Sequence, residues 1–109
     1  MRLLKKEEYD LIATLLKDKP NTKHIIKELP NLYVEEMNDG GMGSLRFLTK
    51  NGEKRIFGDQ IAQIQLLDVD GIPLSITVNI DQEGDIFELD IWKVDFSPLK
   101  QFPLPPYNL

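Results

Sequence analysis

The sequence has no cysteine and only one histidine among its 109 residues. Without cysteine there can be no disulfide, thiolate metal site or thiol nucleophile, and this composition fits a reducing compartment. His24 alone cannot supply the nitrogen or sulfur ligands that a zinc site needs, so we predict no metal site and no cofactor. The serines lack a G-x-S-x-G elbow and would share that one histidine, so we predict no catalytic residues and favour a protein that is not an enzyme.

Long hydrophobic runs are also missing. A membrane span needs about 20 consecutive apolar residues, and no stretch of the sequence is that long. The N-terminal segment MRLLKKEEYD has charged residues too close to its start for a signal peptide. We therefore expect a cytoplasmic protein that does not bind membranes. The net charge of −5, from 18 acidic and 13 basic residues, would repel nucleic acid on average, and no basic stripe opposes this repulsion.

The first thirty residues predict two helices. Apolar residues between Leu4 and Leu16 recur with helical spacing, and charged residues occupy the opposite side of the wheel. The segment NTKHIIKEL predicts a shorter second helix, with Asn21 or Thr22 as its N-cap. A proline follows each segment and ends the helix there.

Beyond residue 30 the apolar spacing changes from helical to alternating, which predicts strands. Two of these strands flank the stretch EEMNDGGMGSLRF, whose glycines suit a hairpin tip that requires positive φ angles. A connection over residues 38–43 puts an apolar pair inside and an opposite-charge pair outside. This register pairs Glu36 with Leu45, Glu35 with Arg46 and Val34 with Phe47.

Three further turns connect the remaining strands. Asn51–Gly52 is a strong hairpin signal that would join the strand of Phe47 to the segment KRIF. A three-residue loop at residues 69–71, with Gly71 in the left-handed region, pairs Leu66 with Leu74, Ile64 with Ile76 and Ala62 with Val78. An even-length loop at DQEG then brings Phe87, Leu89 and Ile91 to the same inner face.

These patterns together predict an α+β fold, with two N-terminal helices packed on one face of an antiparallel meander of five to six strands. The whole chain, residues 1–109, is expected to be a single domain. Its parts are a helical part (1–30), the antiparallel sheet (31–97) and a Pro-rich extended tail (98–109). The tail either packs along the domain through Phe102, Leu104 and Tyr107, or remains free as a recognition segment.

The last strand suggests a binding surface. When its apolar residues point inward, Glu88, Asp90 and Trp92 point outward together. An exposed tryptophan beside carboxylates has the composition of a binding anchor with a charged rim. Met42, among the glycines, either folds back over the sheet or touches a partner. The predicted partner-binding residues are Glu88, Asp90, Trp92, Asp95, Glu35 and Met42.

Two blocks carry a resemblance to a known family. MNDGGMGSLRF at residues 37–47 and ELDIWKVDFSPL at residues 88–99 resemble an uncharacterised bacterial family of small stand-alone domains. The N-terminal LLKKEEYDLI resembles the same family, so the resemblance spans most of the chain. No activity is assigned to the family, and the resemblance therefore implies no catalytic residue. It implies only a loose likeness to immunity and antitoxin proteins.

Two functional hypotheses of different classes follow. The first is a non-enzymatic partner-binding domain, in the form of an immunity- or antitoxin-type inhibitor of a basic protein. This hypothesis is compatible with a homo-oligomer. The alternative is a small-molecule-binding protein or enzyme with a pocket near the Gly-rich hairpin and the last strand. A deep pocket lined by Arg46, Asp90 and Trp92 would favour the alternative, whereas a flat or convex acidic face would favour the first.

Overall fold

A computed structural model describes residues 1–48 and 55–107 of the chain. They form two α-helices and six strands, which confirms the predicted α+β class. The elements are β1 (Arg2–Leu3), α1 (Lys6–Leu16), α2 (Lys23–Glu28), a 3₁₀ turn (Leu29–Asn31), β2 (Tyr33–Glu36), β3 (Leu45–Phe47), β4 (Phe57–Leu67), β5 (Pro73–Asp81) and β6 (Ile86–Lys93). Neither helix of this described part has the length and apolar character needed to cross a bilayer.

Helix α1 begins with a side chain that accepts the backbone N–H of the N-cap residue, Lys5. The Glu8 carboxylate accepts a hydrogen bond from the Lys5 N–H at 2.8 Å and two from the Arg2 guanidinium at 2.8 and 2.9 Å. Burial tends to raise the pKa of Glu8, but these hydrogen bonds hold it below its usual value. In the apolar stripe of the helix, Leu11, Ile12 and Leu16 are fully buried.

The six strands form one antiparallel sheet in the order β1-β2-β3-β6-β5-β4. The predicted meander is therefore wrong at one connection, because β3 pairs with β6 instead of β4. This pairing puts Leu45 opposite Leu89 and Arg46 opposite Glu88, so that apolar residues and opposite charges meet across the strands. The turn predicted at residues 51–52 lies outside the described residues.

The two other predicted registers are confirmed. The β2–β3 and β4–β5 pairs are Val34–Phe47, Glu35–Arg46, Glu36–Leu45, Ala62–Val78, Ile64–Ile76 and Leu66–Leu74. The β4–β5 hairpin closes around three residues, because the Asp68 N–H donates to the Ile72 carbonyl at 2.9 Å. Gly71 has a φ of +81° in this loop, a conformation that side chains rarely adopt.

The prediction was wrong for Phe87, which does not point into the core. Strand β6 has one extra residue here, and the register around it pairs Ile80 with Ile86 and Asn79 with Glu88. Ile86 takes the inner position and is buried. The half-buried ring of Phe87 lies beside two guanidinium groups, 5.9 Å from that of Arg46 and 5.3 Å from that of Arg55.

The turn before β6 explains this bulge. The Asp81 N–H donates to the Asp85 carbonyl at 2.9 Å, and Gly84 has a φ of +86°. The hairpin therefore closes around three residues, an odd number, whereas the sequence favours an even one. The bulge at Phe87 absorbs the extra residue and restores the even register for the rest of the strand.

The core is one cluster of apolar side chains that includes residues from both helices and from strands β2 to β6. Leu89 and Ile91 point into it, as the parity of β6 predicts, and both are buried. In the tail, Phe102 and Tyr107 pack against the same cluster, whereas Leu104 is exposed. Burial and the nearby carboxylate of Asp10 raise the pKa of Tyr107.

Candidate functional site

The side chains that alternate with the core residues form the outer face of the sheet. Strand register arranges them in four rows across β2 to β6. The rows are Glu35–Arg46–Glu88–Asn79, then Asp90–Thr77–Gln63, then Trp92–Ser75–Gln65, and last Val94–Pro73–Leu67. The first row is charged and the last is apolar, so the polarity of the face changes along the strands.

The apolar end of the outer face carries two aromatic rings. Trp92 is 45% exposed and Phe96 is 69% exposed, and their ring centres are 5.9 Å apart. Val94 and Leu67, 41% and 62% exposed, lie on either side of Pro73. These five residues form one exposed apolar area, which we call the aromatic patch, and such areas commonly mark interaction sites.

The backbone of Phe96 adopts an unusual conformation. Its φ is +63°, in the left-handed region, which costs a bulky residue about 1–3 kcal/mol. The Phe96 N–H donates to the Lys93 carbonyl at 2.9 Å, and the Asp95 carboxylate accepts hydrogen bonds from the N–H and hydroxyl of Ser97 at 3.0 and 2.6 Å. These contacts hold a turn that displays the Phe96 ring beside Trp92.

Two of the predicted acidic residues lie next to the aromatic patch. Asp90 is exposed one row away from Trp92, and its carboxylate is 3.3 Å from the Ser44 hydroxyl. Asp95 is exposed in the turn that carries Phe96. Hydrogen bonds from the Ser97 hydroxyl and N–H lower the pKa of Asp95 below its usual value, so this carboxylate keeps its charge in mildly acidic solution.

The other two predicted acids are placed differently. Glu88 is half-buried and paired within the sheet, because Asn79 donates to its carboxylate at 3.0 Å and Arg46 lies 3.9 Å away. Glu35 is in the same row as Glu88, two strands across. Strand rise and strand spacing put it roughly 16 Å from Trp92, so the structure does not bring Glu35 into the patch.

The glycine-rich loop packs along the second half of β6 and explains the methionine within it. Strand β3 is only three residues long, so the loop must satisfy the N–H groups of β6 beyond it. The Ser44 hydroxyl accepts the N–H of Ile91 at 2.9 Å, and the Met42 sulfur accepts the N–H of Lys93 at 3.2 Å. Gly43 between them has a φ of +97°, and a Cβ there would lie 3.3 Å from a tail side chain.

Met42→Ser should lower the free energy of unfolding, by about 1–3 kcal/mol, because it leaves the N–H of Lys93 without an acceptor. Affinity for a partner should be unchanged, since the sulfur of Met42 is directed at the backbone of β6. Urea denaturation followed by circular dichroism measures the first quantity. Met42→Leu is the matched control that retains apolar volume but loses the sulfur. Full stability of Met42→Ser would show that the thioether contact contributes nothing.

A fully buried lysine ends strand β6. The ammonium nitrogen of Lys93 lies 2.8 Å from Asp68, 2.6 Å from Asp70 and 3.2 Å from the carbonyl of Pro98. Burial tends to lower the pKa of Lys93, but the two carboxylates outweigh this effect and raise it. With three acceptors for its three protons, the ammonium is a structural group and not a base poised for chemistry.

The same cluster fastens the tail to the domain. The Asp68 carboxylate accepts the N–H groups of Lys100 and Gln101 at 2.7 and 3.2 Å, in addition to the bond from Lys93. Sequence reasoning missed this cluster. The signal was present, because the parity that turns Ile91 inward also turns Lys93 inward, and a buried lysine requires carboxylate partners.

A cavity of about 270 Å³ lies between α2 and the sheet. Its lining is mainly apolar. The guanidinium of Arg55 in its wall donates to Asp81 at 2.8 Å and to the Phe47 carbonyl at 2.8 Å. A second depression, beside Arg46, is lined by residues 35–38 and includes neither Asp90 nor Trp92. Neither concavity joins the residues that the small-molecule hypothesis requires.

A comparison with family models covers nearly the whole chain. The model described as "Domain of unknown function (DUF6984)" matches residues 1–103. The chain belongs to this family. The resemblance seen in residues 37–47 and 88–99 is thereby confirmed as membership of a family of small domains without an assigned function. No curated protein and no solved structure matches the chain.

In this DUF6984 domain, the aromatic patch contains residues that sequence reasoning missed. Val94 follows Trp92 at an interval of two, so continuing the strand parity past residue 92 would have indicated it, whereas Phe96 lies beyond the end of β6. The side chain of Leu67 points to the outer face, because the confirmed β4–β5 register places Leu67 opposite Pro73. What the sequence could not indicate is the positive φ of Phe96, because the left-handed region is rare for phenylalanine.

Proposed function

We propose that this DUF6984 domain is a non-enzymatic binding domain that docks a basic protein on its aromatic patch. The observation that carries the proposal is the exposed Trp92–Phe96 pair, held by a strained turn beside Asp90 and Asp95. Tryptophan is enriched among the residues that dominate binding energy, and neighbouring charges select and steer the partner.

The energetics of the patch support a binding role. An exposed aromatic pair loses the hydrophobic stabilisation that burial would provide, roughly 25 cal/mol per Å² of apolar surface. The left-handed backbone of Phe96 adds a further cost. Folding alone gains little from this arrangement, whereas a partner that covers both rings recovers the hydrophobic free energy. Strain of this kind clusters at ligand clamps and binding sites.

The charges indicate the chemistry of the partner. The domain has a net charge of −5, and the exposed Asp90 and Asp95 lie beside the patch. On this face Arg46 lies 3.9 Å from Glu88, so its charge offsets the acids of the first row. The matching surface is an apolar cleft bordered by lysine or arginine. An immunity- or antitoxin-type inhibitor would use such docking to mask a basic functional surface.

The proposal is tested by the affinity of a basic protein captured with the wild-type domain at low salt. Trp92→Ala and Phe96→Ala should each weaken that affinity by at least about 2 kcal/mol, or roughly 30-fold. Tyr33→Ala is the matched control. Tyr33 is an equally exposed aromatic on β2, and strand geometry puts it more than about 20 Å from Trp92, so its loss should leave binding unchanged.

The salt dependence of the rate constants distinguishes electrostatic steering of the partner from apolar contact with it. Asp90→Asn should slow association more than it speeds dissociation, and added salt should reduce the difference, because exposed charges are screened over about 8–10 Å. Surface plasmon resonance gives both rate constants. Wild-type affinity of the Trp92→Ala and Phe96→Ala variants, or an equal loss in Tyr33→Ala, would refute docking on the aromatic patch.

A further inference from the structure

Strand β4 forms a long edge of the sheet, and tail residues border it at Leu66 and Leu67. It is 11 residues long, whereas β1 at the opposite edge has two. Proteins usually protect sheet edges with short strands, charged side chains, proline or a covering segment, because free backbone groups attract further strands. Between Gln60 and Leu67, β4 contains neither a charged residue nor a proline. This stretch has the properties of a strand that pairs with another chain.

The free backbone groups on this edge can be identified. Because the Asp68 N–H donates to Ile72 across the hairpin, alternation along an antiparallel pair turns the backbone groups of Leu67, Gln65 and Gln63 away from β5. Among residues 1–48 and 55–107, no hydrogen bond from outside the sheet reaches these three residues. They present a row of N–H and C=O groups to the surroundings.

We propose that a second copy of this chain pairs with β4, antiparallel and about a two-fold axis at Ile64. Residues opposite each other in an antiparallel pair point to the same face, so Gln63 faces Gln65 of the second copy and Ile64 faces its own counterpart. The two Gln63–Gln65 pairs exchange backbone hydrogen bonds in both directions. The sheets of the two copies then form one continuous sheet.

Charge and chemistry favour a second copy as the occupant of this edge. Two chains of net charge −5 repel each other over a distance that salt screens, and a contact through the uncharged stretch from Gln60 to Leu67 adds no close pair of like charges to this repulsion. Glutamine amides both donate and accept, so a glutamine row is complementary to itself. On the inner face Ile64 is only half-buried, and pairing covers this side chain as well.

This dimer goes beyond the proposed function and can be tested independently of it. Trp92 lies on β6, separated from β4 by the intervening strand β5. Pairing through the β4 edge therefore engages Leu67 of the aromatic patch but leaves the Trp92 and Phe96 rings accessible. Trp92→Ala should weaken partner binding without changing the oligomeric state, and the β4 variants below should do the reverse.

Two double variants test the dimer and its register in sedimentation equilibrium experiments. In Gln63→Lys/Gln65→Lys, each pair brings two lysines together, and the dissociation constant should rise at least about tenfold. In the matched control Gln63→Lys/Gln65→Glu, the lysine at position 63 faces the glutamate at position 65 of the second copy. The dimer of this control should then be at least as stable as the wild-type dimer. Since both double variants contain the lysine at position 63, the difference between them depends on the residue at position 65.

A third variant tests the backbone hydrogen bonds themselves. Gln65→Pro removes an N–H that faces away from β5, so the β4–β5 hairpin should remain while the dimer is lost. Circular dichroism and urea unfolding check that each variant keeps its fold. A wild-type protein that stays monomeric up to its solubility limit overturns the proposal. A dimer that the double-lysine variant leaves unchanged, or association without a defined stoichiometry, overturns it too.

Discussion

Replacing Asp68 with Asn should lower the free energy of unfolding by about 3–5 kcal/mol. The Asp68 carboxylate and the Lys93 ammonium are both fully buried, 2.8 Å apart, and the same carboxylate accepts two N–H groups of the tail. The substitution removes the charge that compensates the buried ammonium. It also replaces one carboxylate oxygen by an NH2 group, which then faces two donors, either those of Lys93 and Lys100 or those of Val69 and Gln101. Urea denaturation at neutral pH measures the loss.

Asp70→Asn is the matched control for this prediction. Asp70 bonds the same ammonium at 2.6 Å but is partly exposed, so water can compensate for the lost charge and the effect should be smaller. Lys93→Met should also destabilise, because it leaves two carboxylates without their cation. A loss below about 1 kcal/mol in Asp68→Asn would contradict a structural role for the buried pair.

The same substitution should change the dependence of stability on pH. Burial tends to raise the pKa of Asp68, but the N–H of Lys100 and the ammonium of Lys93 outweigh it and hold the pKa below its usual value. A carboxyl with a lowered folded pKa stabilises the protein above its unfolded pKa, and the contribution is lost as the pH falls through the folded value. The difference between wild type and Asp68→Asn should therefore shrink below about pH 4.

Ile76→Ala should cost about 2–5 kcal/mol of unfolding free energy, because it leaves a cavity at the centre of the sheet. Ile76 is fully buried and lies between Ile64 on β4 and Ile91 on β6. Val69→Ala, at an exposed loop position, should change stability by no more than about 0.5 kcal/mol. A loss below about 1 kcal/mol for Ile76→Ala would show that the site collapses around the smaller side chain.

Local sequence signals were enough to predict the strand register of two hairpins in the sheet. The β4–β5 register follows from strict alternation on both strands and from one glycine that fixes the loop length at three residues. In the β2–β3 pair, the match of Val34 to Phe47 and Glu35 to Arg46 decides the register. Both are short-range problems, in which a shift by one residue would turn every side chain to the wrong face.

The features that the sequence did not indicate depend on contacts between distant segments. The pairing of β3 with β6 joins residues more than 40 positions apart, such as Leu45 and Leu89, and no turn signal encodes it. The bulge at Phe87 depends on the geometry of the preceding turn. For the candidate site, parity indicated that Trp92 is exposed, but the position of Phe96 depends on a rare backbone conformation.

The most direct test of the binding site uses the single tryptophan of the chain. Fluorotryptophan incorporated during expression labels Trp92 alone, and its fluorine resonance is not confused with tryptophans of the partner. In the free domain we expect a resonance sensitive to a soluble paramagnetic quencher, because Trp92 is 45% exposed. Saturation with the captured basic partner should shift this resonance and protect it from the quencher. An unchanged and equally accessible resonance in the saturated complex would show that the partner binds elsewhere.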